Sequence, residues 1–273
     1  MINFEIYKKG QKIGYTRYIH SFDKENIKTL FIFHGLYGRG KNWQSFAKKM
    51  SQNKKTMIIT VDLRNHGGNV FNENISYSLM LEDILDLFNY LEIKKTNLLG
   101  HSMGGKLAML LALSNPNYIN KIIIVDIAPV NYKNYDNSII DALLNLNLRI
   151  VKNRNHADEL LLNHIDQKFL RLFLLQNLQL IDGKYNWSIN LTAIKRAMID
   201  LRSFPKMETN NKVDIKSLCI YGGKSDYVNE DQFKFFKNYF TNITFYQIKN
   251  AGHFLHIETP DEFYEVSKNF LED

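Results

Sequence analysis

One cysteine, Cys219, stands in the 273 residues, which excludes an internal disulfide. It lies inside the apolar run Ser217 to Tyr221, where it reads as a small core residue rather than a nucleophile. The opening MINFEIYKKG lacks the basic head and apolar run of a secretory signal. No stretch reaches the roughly 18 uninterrupted apolar residues of a membrane span. Charge of one sign does not accumulate either. The 35 basic residues exceed the 28 acidic ones by seven, but they are interleaved with acids and form no long basic block or nucleic-acid-binding motif. The eight histidines show no zinc-like spacing. These absences predict a soluble cytoplasmic protein with no nucleic-acid partner, no stable membrane insertion, no metal and no cofactor. What the chain does have is core material, 45% apolar and 13% aromatic, enough for one large α/β domain or a domain carrying an insertion.

The organising stretch is Asn97 to Ala108, NLLGHSMGGKLA. A strand end (Leu98, Leu99) runs into Gly100-His101-Ser102-Met103-Gly104, and a helical pattern starts at once behind it. That is the strand, sharp turn and helix of a G-x-S-x-G nucleophile elbow, with Ser102 as candidate nucleophile. The glycines answer a steric need, because the serine is held in a strained backbone conformation and strand and helix must close tightly around it.

The segments around the elbow alternate between strand and helix. Phe4, Ile6, Ile13, Tyr15, Arg17 and Ile19 alternate as in an edge hairpin. Thr29 to Phe33, Thr56 to Val61 and Lys121 to Val125 are continuous apolar runs, as expected of strands buried on both faces. Tyr77 to Ile93 has helical spacing. This pattern predicts a mainly parallel sheet with helices on both faces and reactive residues gathered at the carboxyl ends of its strands.

From about Tyr132 to about Met207 the alternation breaks into leucine-rich segments with no convincing strand: Ser138 to Val151, His156 to Ile165, Lys168 to Leu180 and Leu191 to Phe204. We read 132–207 as a helical cap, or lid, interrupting one core formed by residues 1–131 and 208–273. The apolar run Phe169 to Leu175 within it reads as a buried helix, as a lid face lining an acyl pocket, or as a membrane-contact face. Alternation then resumes with strands Leu218 to Tyr221 and Ile243 to Ile248, a helix from Glu230 to Phe240, and a closing helix Asp261 to Leu271 behind Pro260.

A serine hydroxyl needs a general base, and that base needs an orienting carboxylate. In hydrolases of this architecture the order is Ser, acid, His, so His253, beyond the last strand, is the candidate base. His34, His66 and His101 flank earlier strand ends and read as loop-fixing partners. His256 reads as structural, and His20, His156 and His164 lie away from the strand ends. Asp62, Arg64 and His66 read as a structural network. For the acid two positions are open: Asp126 at the end of KIIIV, and Asp226 in Gly222-Gly223-Lys224-Ser225-Asp226. The oxyanion of a tetrahedral intermediate needs backbone donors, which the elbow template takes from the residue after the nucleophile, Met103, and from the His34-Gly35 loop, Leu36.

The segments HGLYG, DLRNHG, GHSMGGK, VDIAPVNY, GGKSDYV and AGHFLHIETP together resemble the α/β-hydrolases over nearly the whole chain, and the YbfF-type bacterial esterases in particular. In those esterases the acid is the aspartate of the D-I-A-P segment and a serine takes the usual acid position in the later loop. The resemblance therefore implies Asp126 as acid and Ser225 as supporting hydroxyl. Counting from Gly222 and back from Val228 also puts Ser225, not Asp226, where the carboxylate usually stands. The neighbouring Asp226 departs from that pattern and stays open as a substitute.

The activity so implied is a serine carboxylesterase or thioesterase acting on small acyl esters or thioesters through an acyl-enzyme. Acyl transfer and carbon-carbon bond hydrolysis remain open on the same scaffold. An aspartate nucleophile of the dehalogenase or epoxide-hydrolase kind is excluded by Ser102. A catalytically inactive binding relative would be expected to have lost Ser102, His253 or the His34-Gly35 loop, and all are present.

Overall fold

Successive residues of a strand point to opposite faces of a sheet, and in this protein both sets are buried. On the strand after the first hairpin, Phe31 and Phe33 join one apolar cluster while Leu30 and Ile32 join a second. Ile122 and Ile124 likewise face the first cluster, and Ile123 and Val125 the second. Unbroken β-branched and aromatic runs are thus the imprint of a sheet covered on both sides.

The computed structural model describes residues 1–13, 27–53, 55–132, 137–207 and 212–273. The strands are β1 (Phe4–Lys8), β2 (Gln11–Ile13), β3 (Lys28–Phe33), β4 (Thr56–Val61), β5 (Thr96–His101), β6 (Ile119–Val125), β7 (Leu178–Ile181), β8 (Lys184–Trp187), β9 (Lys216–Gly222) and β10 (Ile243–Ile248). Eight of them form one sheet in the order β10-β9-β6-β5-β3-β4-β1-β2. The strands from β10 to β4 pair in parallel, and β1 adds antiparallel to β4 and to β2. The expected edge hairpin begins as read with β1 and β2, whereas Tyr15, Arg17, Ile19 and His20 lie outside the described residues.

The face built on Leu30 and Ile32 is covered by α1 (Gln44–Met50) through Phe46, Ala47 and Met50, and by the C-terminal helix Pro260–Glu272 through Phe263, Phe270 and Leu271. The opposite face carries α2 (Tyr77–Tyr90) and α3 (Met103–Ser114). The buried residues of α2 recur at Tyr77, Met80, Ile84, Leu87 and Phe88, one stripe of an amphipathic helix. By contrast α3, lying under the centre of the sheet, is buried almost from end to end.

Between β6 and β9 come α4 (Ser138–Asn145), α5 (Arg154–Leu161), α6 (Lys168–Leu174), α7 (Leu191–Arg196) and α8 (Met198–Arg202). One expectation fails in this segment: it contains a strand pair. β7 and β8 form an antiparallel hairpin joined by Asp182 (φ 48°) and Gly183 (φ 73°). Both turn residues are left-handed, as a two-residue type I′ turn requires. The leucines up to Leu180 suggest a continuing helix, but α6 stops at Leu174. A 3₁₀ turn (Leu175–Asn177) follows it, and the Asp-Gly pair folds the remainder into strands. Nor is the run Phe169 to Leu175 wholly buried: Phe173, Leu174 and Leu175 are, while Phe169 and Leu172 are 42% and 48% exposed. The segments read as helices at Ser138 to Val151, His156 to Ile165 and Leu191 to Phe204 are also shorter or broken, whereas the closing helix extends slightly beyond its expected bounds. A 3₁₀ turn (Glu230–Gln232) precedes a brief α9 (Phe233–Phe236) where one helix to Phe240 is expected. After β10 come α10 (Leu255–Glu258) and α11 (Pro260–Glu272).

Hydrogen bonds tie this segment to the sheet's carboxyl edge. Asn177 Nδ2 donates to the Tyr37 carbonyl (2.7 Å) and Tyr77 Oη to the Leu201 carbonyl (2.8 Å), while the Tyr132 N–H joins the two ends of the segment by donating to the Arg202 carbonyl (3.1 Å). Inside the segment Arg171, 4% exposed, holds together α5, α6 and the turn between them. Its Nε donates to Asp158 Oδ1 (2.6 Å) and its Nη1 to the carbonyls of Ile165 (2.7 Å) and Asp166 (2.9 Å). Among the described residues no helix is long and apolar enough to cross a membrane.

Candidate active site

Strand order determines which loops meet. The chain leaves β3 for β4 on one side and then crosses to β5 on the other, so β3 and β5 are neighbours whose connections diverge. The crevice at such a switch point is where α/β sheets bind ligands. The His34-Gly35-Leu36 loop follows β3, Ser102 follows β5, and Asp126 follows the adjacent β6.

Ser102 has φ 52° and ψ −118°, a strained conformation for a residue with a side chain. Its surroundings hold it there: the Ser102 N–H donates to the Val125 carbonyl (3.0 Å), and the Ser102 carbonyl accepts from the N–H groups of Gly105 (2.9 Å) and Lys106 (3.1 Å). A Cβ on Gly100 would stand 2.2 Å from the Gly104 carbonyl oxygen, and one on Gly35 would stand 3.1 Å from Ser102 Cβ. Glycine is thus demanded where the elbow folds and where the β3 loop passes it.

Asp126 is fully buried, and its carboxylate has three donors. Oδ1 accepts the Gly222 N–H (3.0 Å); Oδ2 accepts the Ser225 hydroxyl and faces His253 Nδ1 at 2.7 Å. Asp226, by contrast, is exposed. Of the two carboxylates the sequence leaves open, Asp126 is the one bonded to His253, with Ser225 as a second donor on the same oxygen. Since a buried carboxylate accepts, Nδ1 of His253 carries the proton, leaving Nε2 as the ring's acceptor.

The backbone around His253 is held by groups that motif reading missed. Glu258, in α10, accepts from the N–H groups of Gly252 (2.7 Å) and Phe254 (3.0 Å), one on each side of His253. His101 Nε2 lies 2.8 Å from the His253 carbonyl. The ring of Tyr227 stacks on His253 at 4.0 Å, and Tyr132 Oη locks Tyr227 by donating to its carbonyl (2.6 Å) while accepting from the Ala128 N–H (2.9 Å). The signal for Glu258 was an acid in the first turn of a short helix just beyond the histidine, where it bonds free backbone N–H groups.

The earlier histidines fasten loops. The Leu63 N–H donates to His34 Nε2 (2.9 Å), so the His34 proton sits on Nδ1, facing the Gly35 carbonyl at 2.8 Å. By the same logic His66 accepts from the Tyr37 N–H at Nε2 (3.3 Å) and holds its proton toward the Arg64 carbonyl (2.9 Å). Burial lowers the His34 pKa to about 4 and that of His66 to about 3, and pushes His101 well below its ordinary value. Asp62 accepts from Gly40 and Gly68 N–H groups, and Arg64 pairs with Asp83 through two bonds of 2.8 and 2.7 Å. His256 lies flat on Trp43 at 4.0 Å. Cys219 is fully buried, and burial raises its thiol pKa well above the ordinary value.

Ser102, Met103, Leu36 and His253 all line one cavity of about 350 Å³, closed from the β6–β9 segment by Ile139, Leu170 and Phe173. The Leu36 N–H has no acceptor among the described residues. Among those residues there is also no group of three histidine, cysteine or carboxylate side chains placed to hold a metal ion.

Residues 28–260 match the family described as alpha/beta hydrolase fold, and the chain belongs to that family. It is 31% identical over 258 residues to a Danio rerio protein named as the sn-1-specific diacylglycerol lipase ABHD11, covering 92% of this chain and 81% of that one. To the esterase YbfF of Escherichia coli K12 it is 29% identical over 252 residues, covering 92% of this chain and 96% of the other. A solved structure of a marine microorganism esterase superposes with a TM-score of 0.88 at 30% identity, over 98% of both chains. Within the family, then, the protein is an enzyme of the carboxylic ester hydrolase class.

Proposed function

We propose that the protein is a serine carboxylesterase that cleaves small acyl esters, and acyl thioesters by the same route, through a covalent acyl-enzyme. The observation that carries this reading is the Nδ1 to Oδ2 contact of 2.7 Å between His253 and Asp126, in a site whose cavity His253 shares with Ser102. Ser102 Oγ attacks the carbonyl carbon as His253 Nε2 takes its proton; the tetrahedral intermediate then expels the alcohol or thiol, which takes that proton. Water, deprotonated by the same histidine, releases the acid and restores the serine. Asp126, fully buried and held by Gly222 and Ser225, keeps the imidazole in the productive tautomer and stabilises the imidazolium. The N–H groups of Leu36 and Met103 receive the oxyanion, each lowering the barrier by about 3 kcal/mol.

Residues 132–207 act in this reading as a lid over the core formed by the rest of the chain. The cavity's apolar wall at Ile139, Leu170 and Phe173 supports an acyl chain lying under it. The test is direct. A fluorophosphonate probe labels Ser102, and Ser102→Ala and His253→Ala each abolish hydrolysis of p-nitrophenyl butyrate. A folded native sample that neither labels nor turns over this ester overturns the reading.

A further inference from the structure

Lys106 belongs to the GHSMGGK segment but has no part in the chemistry above. It sits one turn beyond Ser102 on α3, is 1% exposed, and lines the cavity that Ser102 and His253 share. Its Nζ donates to one acceptor, the Arg202 carbonyl at 2.5 Å, and lies 4.8 Å from the centre of the Tyr132 ring. An ammonium has three N–H donors, and no carboxylate among the described residues pairs with this one. Among the described residues no aspartate or glutamate lines the cavity, whereas Arg202 does. Apart from these the wall is largely apolar, with Leu36, Ile127, Ile139, Leu170 and Phe173.

A buried ammonium without a counter-charge is destabilising. Burial, with the Arg202 charge adding to it, lowers the Lys106 pKa to about 7. Bonding the Arg202 carbonyl does not account for a cation here, since a neutral donor would serve. A cation next to the nucleophile, in a cavity whose described lining is mainly apolar by area and holds no carboxylate, fits an anionic group brought by the substrate.

We propose that Lys106 is a specificity residue that binds a carboxylate on the substrate, so that the preferred substrates are esters carrying a free carboxylate a few carbons from the reacting carbonyl, such as half-esters of short dicarboxylic acids. The proposal rests on the serine-esterase reading of the same site. An ammonium-carboxylate bond in a site shielded from water is among the stronger hydrogen bonds, and a neutral ester of the same length forgoes it.

The experiment compares mono-p-nitrophenyl glutarate with p-nitrophenyl hexanoate. The native enzyme should favour the glutarate half-ester about tenfold in kcat/KM near pH 6.5, chiefly through a lower KM. Lys106→Met should erase that preference, and Lys106→Arg should retain part of it. A side chain that only bonds the Arg202 carbonyl would leave the ratio unchanged on substitution. The groups facing Lys106 are Arg202 and Tyr132; Tyr37, Tyr227, His101 and His253 share its cavity. His253 serves both esters alike, so the ratio of the two rates isolates the ammonium. That ratio should fall as pH rises from about 6 to about 8.5, because the cation is lost in that direction. A flat ratio, or a native preference for the hexanoate throughout, overturns the proposal, even if the variants fail to fold. Calorimetry with glutarate alone gives a readout independent of turnover: binding to the native protein and not to Lys106→Met supports the proposal, and no binding to either overturns it. Loss of turnover of both esters, with no fluorophosphonate labelling of Ser102, would instead sink the esterase reading.

Discussion

His253 Nδ1 and Asp126 Oδ2 stand 2.7 Å apart although Asp126 closes β6 and His253 follows β10. Between those strands lies β9, whose loop carries Asp226 and offers Ser225 to the same oxygen. We expect Asp126→Asn to reduce kcat by about 10⁴-fold, because an amide no longer fixes the imidazole tautomer. Asp226→Asn, at an exposed position, should stay within about twofold. Equal losses in p-nitrophenyl butyrate turnover, or a larger loss at Asp226, would reverse the assignment.

Ser225→Ala removes one of two donors on Asp126 Oδ2 while leaving the Gly222 N–H on Oδ1. A hydrogen bond to a charged group contributes about 1.5–3 kcal/mol, so kcat should drop roughly tenfold or more, with KM little changed. Unaltered kcat in a folded variant would reduce Ser225 to a bystander.

Gly35 has a different vulnerability. A Cβ there would stand 2.7 Å from His101 Nδ1 and 3.1 Å from Ser102 Cβ, so Gly35→Ala must push the Leu36 N–H away from the serine. The expected loss is that of one oxyanion donor, about 10²–10³ in kcat. Fluorophosphonate labelling should slow in parallel, and a variant with native labelling and turnover would show that the loop has room.

Arg171 is 4% exposed and joins α5 to α6 through Asp158 and two carbonyls. Removing one partner of a buried pair costs about 3 kcal/mol or more, so Arg171→Met should lower Tm by roughly 6 °C or more in a chain of this size. Calorimetry checks this directly; a shift of about 1 °C would mean the pair contributes little.

His34 and His66 are held neutral in the fold, with pKa values near 4 and 3. An unfolded histidine takes up its proton near pH 6.5, so the contribution of each is complete above that pH and is lost as pH falls toward the folded value. His66→Gln keeps a donor and an acceptor but cannot be protonated. Its Tm should therefore fall less than that of the native protein between about pH 7 and pH 5, and equal slopes in thermal melts would refute the linkage.

Much of the architecture could be read from residue order. β3, β4 and β6 announce themselves as continuous apolar runs because both faces of the sheet are covered, and G-H-S-M-G declares its turn through glycines that pack too closely for any Cβ. The β7–β8 hairpin was missed because leucine content outweighed the Asp182-Gly183 pair, the local cue that sets the turn. Glu258, Tyr227 and Lys106 escaped notice for another reason. Their effect comes from the groups they meet, an N–H on either side of His253, a ring face and the cavity beside Ser102, and none of these partners forms a recurring pattern along the chain.

By itself, then, the sequence determined the parallel sheet, the elbow at Ser102 and the candidate histidine beyond the last strand, since hydrophobic periodicity and glycine sterics act over a few residues. Motif spacing and the family resemblance put Asp126 ahead while keeping Asp226 open as a substitute. Only the tertiary structure decided between them as partner to His253, because a hydrogen bond depends on which strand ends lie side by side, and β6 adjoins β5 while the loop after β9 turns Ser225 inward and leaves Asp226 in solvent.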